Sequence, residues 1–147
     1  MAGEGRTSLP PLPAGTVAIL STGGARPHAI PVSTCVAAAE RRLVFALADG
    51  RESLRRLRRD PHAALTFLES GDVALTAHGT ARVAEQPLAG LDGLAGLDFA
   101  VDSIQDHGQP SFAIDAGVRW RWTSDDAQAR DDRVRDALAD LAGRLES

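Results

Sequence analysis

Leu43-Val-Phe-Ala-Leu47, then Ala48-Asp-Gly50, then Arg51-Glu-Ser-Leu-Arg-Arg-Leu-Arg-Arg-Asp60-Pro61, reads as a buried strand, a tight turn and a short basic helix stopped by proline. Five arginines fall between Arg51 and Arg59. A strand that turns into a helix N-terminus offers free backbone N–H groups and the positive end of the helix dipole to an anion. Arginine adds a planar fork that fits phosphate oxygens. A plain surface helix explains the same letters. Leu54 and Leu57 give one apolar face, Glu52 and Arg56 form an (i, i+4) pair, and Asp49 with Glu52 makes an Asp-x-x-Glu capping pattern. Both readings stay open on this stretch alone.

The 147 residues are enough for one domain with a real core. Net charge is −4, so the basic helix is a local feature of an acidic chain. That balance suits a small anionic ligand and argues against a nucleic-acid partner. All sixteen cationic side chains are arginine and there is no tyrosine. Schiff-base chemistry and a tyrosine acid or base are thereby excluded. Cys35 is the one cysteine, which rules out an internal disulfide framework and a cysteine-cluster zinc site. Its neighbours Ser33, Thr34 and Val36 do not mark a lowered pKa, so a buried, inert thiol is expected. His28, His62, His78 and His107 are scattered without ligand spacing, and no metal site is expected. No apolar run reaches the ~20 residues of a membrane span and no signal-peptide pattern opens the chain, so no membrane partner and a cytoplasmic location are expected.

Outward from the central stretch, residues 1–13 are rich in Gly and Pro and are expected to be a disordered or extended lead-in. A single domain is expected over 14–147. Strands are predicted at Gly15–Thr22, at about Arg26–Val36 and at Leu43–Leu47. Pro27 and Pro31 assign the second of these to a sheet edge or a bulge. Ala63–Leu68 and Val73–Val83 follow, and Gly79 inside the latter predicts a bulge or a close backbone approach. Leu88, Leu91, Leu94 and Leu97, with glycines between them, read as a weak helix or an ordered loop. Further strands are predicted at Phe99–Ile104, Ser111–Ile114 and Val118–Thr123, the last placing Trp120 and Trp122 on one face. A helix is predicted over 125–145. Its stripe Val134, Leu138, Leu141 and Leu145 is expected to cap a barrel or make a subunit contact.

This order of elements resembles the pyridoxamine 5′-phosphate oxidase-like, FMN-binding split-barrel family. The residues that carry the resemblance are Gly15–Thr22, Arg26-Pro-His-Ala-Ile-Pro-Val32, Leu43-Val-Phe45, Arg55–Pro61, Ala64-Leu-Thr-Phe67 and His78-Gly-Thr-Ala-Arg-Val83. The resemblance covers about residues 14–123. It implies a mainly β fold with flanking helices: a six- or seven-stranded antiparallel split β-barrel with a C-terminal helix. It also implies a homodimer that binds FMN, or alternatively the deazaflavin coenzyme F-420. In relatives the turn after the third strand holds the cofactor phosphate. Here that turn corresponds to Arg51, Glu52 and Ser53, with Arg55 and Arg56 on the helix behind it. Many relatives have Ser-Arg-Lys in the turn, so Arg51 is its one basic residue here and Glu52 brings a negative charge. The second strand of relatives lies along the cofactor ring, which implicates His28, Ile30, Pro31, Val32 and Ser33. Near the C-terminus relatives often place a Trp or Arg against the partner subunit's cofactor, and Trp120, Arg121 and Trp122 correspond to that region.

The function this implies is a flavin- or deazaflavin-dependent oxidoreductase that moves a hydride to or from a small organic substrate. The cofactor carries the reaction, and no catalytic side chain is assigned. Two alternatives stand beside it. One is a non-catalytic flavin- or haem-binding module, and the other is a structural dimer without a cofactor.

Overall fold

The computed structural model describes residues 6–146. Its elements are β1 (Ala18–Thr22), β2 (His28–Val32), β3 (Val36–Ala39), β4 (Arg42–Ala48), α1 (Glu52–Arg59), β5 (His62–Glu69), β6 (Val73–Glu85), β7 (Leu94–Asp106) and α2 (Asp125–Glu146). The fold is mainly β. Seven strands form one sheet in the order β2-β1-β5-β6-β7-β4-β3, and every neighbouring pair is antiparallel.

Closure follows from chain length. β2 and β3 are the two edges of the sheet, yet only Ser33, Thr34 and Cys35 separate them. Seven strands laid flat would hold their edges about 29 Å apart, at about 4.8 Å per spacing. The step from Val32 to Val36 spans at most about 14 Å. The sheet therefore curls until its edges approach, without a ladder between them, and makes a split barrel. Leu20, Leu43, Phe45, Leu65, Phe67, Leu75, Leu97 and Phe99 fill it, all fully buried. Leu54 and Leu57, on one face of α1, join the same core. Burying a leucine contributes about 1.5–3 kcal/mol, so these two are what hold the short helix down.

β4 explains the unbroken apolar run in the sequence. Leu43, Phe45 and Leu47 face the barrel core, whereas Val44 and Ala46 face a second core beneath α2. A strand covered on both faces has no polar side to alternate with. The second core contains Val134, Ala137, Leu138, Leu141 and Ala142 of α2 with Ala38, Val44 and Leu88. The helical stripe is thus buried on the outer face of β3 and β4, inside its own chain. Arg42 fastens this layer: its guanidinium forks onto Asp98 at 2.8 and 2.5 Å and also donates to the Leu145 carbonyl at 3.0 Å, near the C-terminus of α2. A cation there complements the helix dipole.

Several boundaries differ from the sequence expectation. The stretch Arg26–Val36 is interrupted at Ser33–Cys35 because the chain crosses there from one sheet edge to the other. Its first part is the edge strand that Pro27 and Pro31 indicated. The leucine–glycine repeat is a turn with an isolated Leu88–Leu91 bridge, and β7 begins at Leu94. Positive φ at Ala89, Gly90 and Gly93 breaks any helix there. Ser111–Ile114 and Val118–Thr123 are not strands. Their backbone runs as an arm with no neighbouring strand to bond to, and carboxylates catch it instead. Asp72 accepts from the Ile114 N–H at 2.8 Å and Glu69 from the Gly117 N–H at 3.1 Å. Of the lead-in expected over 1–13, residues 1–5 lie outside the described residues. From Arg6 to Pro13 the chain has neither helix nor strand, but Leu9 and Leu12 pack against the barrel core.

The register of β6 against β7 shifts between His78 and Gly79, the bulge that an isolated glycine indicated. A Cβ at Gly79 would collide with the Ala100 carbonyl of the neighbouring strand, a backbone atom that cannot step aside. Gly79→Ala should therefore destabilise the fold by about 3 kcal/mol or more. Gly143 lies in α2 with open space around its Cβ position, so Gly143→Ala should stabilise by about 0.5–1 kcal/mol. Urea denaturation of both variants checks the pair. Equal effects would contradict the close approach of β6 and β7.

Candidate functional site

Where β2 and β4 face each other across the split, no ladder forms. Two side chains take its place. Thr34 Oγ1 accepts the Ala46 N–H at 3.0 Å, and Arg135 of α2 donates to the Ser33 carbonyl at 2.9 Å. Asp131 holds Arg135 from one helical turn earlier, at 2.7 Å. The result is a groove of about 310 Å³. One wall is Ile30–Thr34, and another is Ala46–Ala48 with Leu94. Arg51 lines it too, as do Trp122 and, from α2, Ala127, Arg130, Asp131 and Val134.

Arg51 owes its position to the turn. Its N–H donates to the Ala48 carbonyl at 3.1 Å, and its own carbonyl accepts from Leu54, so it is the N-cap residue of α1. The Asp49-x-x-Glu52 capping pattern is not formed. Asp49 instead accepts from the Gln86 amide at 2.7 Å, and α1 has no side-chain cap. The Glu52–Arg56 pair is present at 2.9 Å, and Arg55 joins it at 2.8 Å. These two guanidinium groups, first Arg56 and then Arg55, pull the Glu52 carboxyl down to about 2. Glu52 is thus bound to its own helix and does not line the groove.

The structure brings together Arg51, Ile30, Pro31, Val32, Ser33 and Trp122 of the residues implicated by sequence. The others lie elsewhere. Arg56 spans Glu52 and the β1–β2 turn, where it donates to the Gly23 carbonyl at 2.8 Å. Arg55 donates to Glu52 and to the Gly50 carbonyl. Ser53 is fully buried, and its hydroxyl has no partner among the described residues. His28 sits at the far end of β2, opposite Thr22. Trp120 meets Trp122 edge to face, with centroids 5.3 Å apart, and its Nε1 donates to the Gly15 carbonyl at 2.9 Å. It lines an adjoining cavity of about 490 Å³ between the arm, Gly15, Glu69 and α2. Trp122 and Asp131 belong to the walls of both cavities.

Sequence reasoning missed the contribution of α2. Arg130 lies four residues before Val134, at the next place in the apolar stripe. A cation continuing an apolar stripe was the available signal that the surface beneath changes from sheet to groove. Asp131 and Arg135 read as a solvated helix pair, but Asp131 is buried and Arg135 reaches another element. Cys35, the last residue of the link, is buried, and desolvation pushes its thiol up to about 12, as expected of an inert cysteine. Among the described residues no group of three His, Cys, Asp or Glu side chains could hold a metal ion, and no helix is long and apolar enough to cross a membrane.

A family model described as pyridoxamine 5′-phosphate oxidase matches residues 1–93. The chain therefore belongs to the pyridoxamine 5′-phosphate oxidase-like family. No curated protein matches it. Among solved structures it is similar to a pyridoxamine 5′-phosphate oxidase-like protein of Lactobacillus delbrueckii, at 16% identity and TM-score 0.56, over 71% of this chain and 98% of that one. It is similar to the NADH:FAD oxidoreductase SgcE6 of Streptomyces globisporus, at 14% identity and TM-score 0.52, over 76% of this chain and 83% of that one. An FAD-binding protein of Mesorhizobium loti matches at 10% identity and TM-score 0.50, over 62% of this chain and 82% of that one. At these identities the likeness to solved structures is one of fold.

The ion pairs on α1 carry a pH dependence. The folded Glu52 carboxyl titrates below its ordinary value, so the stability it contributes is complete above about 4.5 and is lost as pH falls toward about 2. Glu52→Gln should melt at lower temperature than the parent at pH 6, and the difference should close by pH 2. A difference independent of pH, read by thermal denaturation monitored by circular dichroism, would mean the pairs contribute nothing.

Proposed function

We propose that the chain is a flavin-dependent oxidoreductase that holds its cofactor in the groove between β2, β4 and α2. What supports this reading is one coincidence. Arg51 and the strand Ile30–Ser33, expected separately from the resemblance, line the same cavity, and Trp122, expected against a partner's cofactor, lines it from within the same chain. The groove is lined by apolar side chains that suit a planar ring, by an aromatic side chain and by the Arg51 guanidinium, which has no partner among the described residues. Those features fit an isoalloxazine ring with a phosphate tail. FMN is the proposed cofactor, with the deazaflavin F-420 as the alternative that titration distinguishes.

When bound, the flavin would supply hydride transfer to or from a small organic substrate. The chain's own residues bind and orient. Arg51 would hold the phosphate by a charge-assisted hydrogen bond. Ile30, Pro31, Val32 and Leu47 would exclude water from the ring. The charged side chains that line the groove are Arg51, Arg130 and the ion-paired Asp131. The adjoining cavity beside Trp120 and Trp122 offers the substrate its approach.

A cytoplasmic homodimer is part of the proposal. With the α2 stripe buried in its own chain, the support for a second copy is the arm. Phe112, Val118, Trp120 and Trp122 are 41, 62, 37 and 41% exposed, an apolar surface that a partner would cover.

Titration with FMN, followed by flavin fluorescence, tests the reading. A charge-assisted bond contributes about 1.5–3 kcal/mol, so Arg51→Ala should weaken FMN by about 10- to 150-fold. Its stability should stay within about 0.5 kcal/mol of the parent, since the side chain is exposed. Glu52→Lys should leave affinity within about threefold, because Glu52 faces its own helix. Binding without turnover on any hydride donor would favour the non-catalytic module. Unchanged FMN affinity in Arg51→Ala would place the anion elsewhere.

A further inference from the structure

We infer that the groove's anion site is two-sided: Arg130 of α2 and Arg51 share one phosphoester dianion, so α2 is part of the binding site. The inference rests on the groove being the flavin site. It adds a ligand residue that lies outside the matched family region, residues 1–93.

Both guanidinium groups line the same 310 Å³ cavity, one from the turn before α1 and the other from the first half of α2. Neither has an ion-pair or hydrogen-bond partner among the described residues. This is not for want of carboxylates nearby. Asp49, two residues before Arg51, accepts from Gln86, and Glu52 is taken by Arg55 and Arg56. Asp131, beside Arg130, is taken by Arg135, which is itself tied to Ser33. Asp132 accepts from Gln128 at 3.0 Å. Asp49, Glu52, Asp131 and Asp132 are thus each bonded elsewhere. Two cations left unneutralised in one concave, partly apolar site repel one another, and a doubly charged anion relieves that repulsion. A dianion suits two forks better than a monoanion does, because each guanidinium can take its own pair of oxygens. The terminal phosphate of FMN, the diphosphate of FAD and a free phosphate share this chemistry.

The test uses the full chain with Arg51→Ala, Arg130→Ala and the double variant. FMN, FAD and riboflavin are titrated by fluorescence, and inorganic pyrophosphate by calorimetry. Arg130→Ala should weaken FMN by about 10- to 100-fold while riboflavin affinity stays within about twofold. The double variant should lose less than the product of the single losses, because both groups bind one anion. Raising salt should weaken FMN binding in the parent more than in Arg130→Ala. FAD binding tighter than FMN, with the advantage lost in Arg130→Ala, would identify the diphosphate as the source. If Arg51→Ala loses FMN and Arg130→Ala does not, the two-sided site is wrong and the flavin reading stands. If the parent binds no flavin but binds pyrophosphate, and Arg130→Ala abolishes this, the flavin reading is wrong and the two-sided site stands. If the parent binds none of the four, both are wrong. Unchanged helix content by circular dichroism in Arg130→Ala separates a ligand role from a role in folding.

Discussion

The three residues Ser33-Thr34-Cys35 join opposite edges of a seven-stranded sheet, and the rest of the structure depends on that short link. A longer link would allow the sheet to stay open, and hydrogen bonds across it would close the barrel completely. Because the link is short and unpaired, the edges are drawn together but leave a slot. The polar groups along the slot still need partners. Thr34 supplies one by accepting from Ala46, and α2 supplies another by sending Arg135 to the Ser33 carbonyl. The groove is therefore a consequence of how the barrel closes, and its walls are the same residues that bridge the split.

This places α2 in two roles. Its C-terminal half is a packing element, with Leu138, Leu141 and Ala142 against β3, β4 and Leu88, and with Arg42 donating to its final turns. Its N-terminal half overhangs the slot, where the apolar stripe gives way to Arg130, Asp131 and Arg135. The change of role falls between Val134 and Arg130, where the helix passes from sheet onto groove. The buried Asp131–Arg135 pair sits at that boundary. Breaking such a pair leaves an uncompensated buried charge, so the pair fixes how α2 lies over the slot more than it adds net stability.

Much of this was legible in the sequence, for physical reasons that can be named. Strands with alternating burial, such as Ala63–Leu68, show in the period of their apolar residues. Pro27 and Pro31 marked an edge because proline cannot complete a ladder, and Gly79 marked a bulge because no side chain fits there. The link at Ser33–Cys35 was not legible. Its residues suit a strand as well as a crossing, and only the partners of β2 and β3 tell the two apart. Val118–Thr123 misled for the opposite reason. Its alternation is real and sets the two tryptophans together, but a β pattern makes a strand only where a neighbouring edge is free. The candidate site divides in the same way. Arg51 and Pro31–Ser33 were legible because they lie on or beside regular elements. Arg55 and Arg56 were implicated beside Arg51, and the structure shows them engaged with Glu52 and with the Gly50 and Gly23 carbonyls.

The arginines also show how an acidic chain can present a cationic groove. Net charge describes the far field, and at physiological salt that field is screened within about 8 Å. What a ligand meets is the balance inside the cavity, which depends on where each carboxylate is already committed. Asp98 is committed to Arg42, Glu69 to the N–H groups of Ser70 and Gly117, Asp72 to Ile114, and Asp131 to Arg135. All but the last, which lies within α2 and holds the arginine that reaches Ser33, join separate parts of the chain or open a turn. The carboxylates near the slot are thus spent on shape. The arginines left over, Arg51 and Arg130, stand where the backbone leaves its own gap, so the same commitments that close the barrel also give the groove its charge.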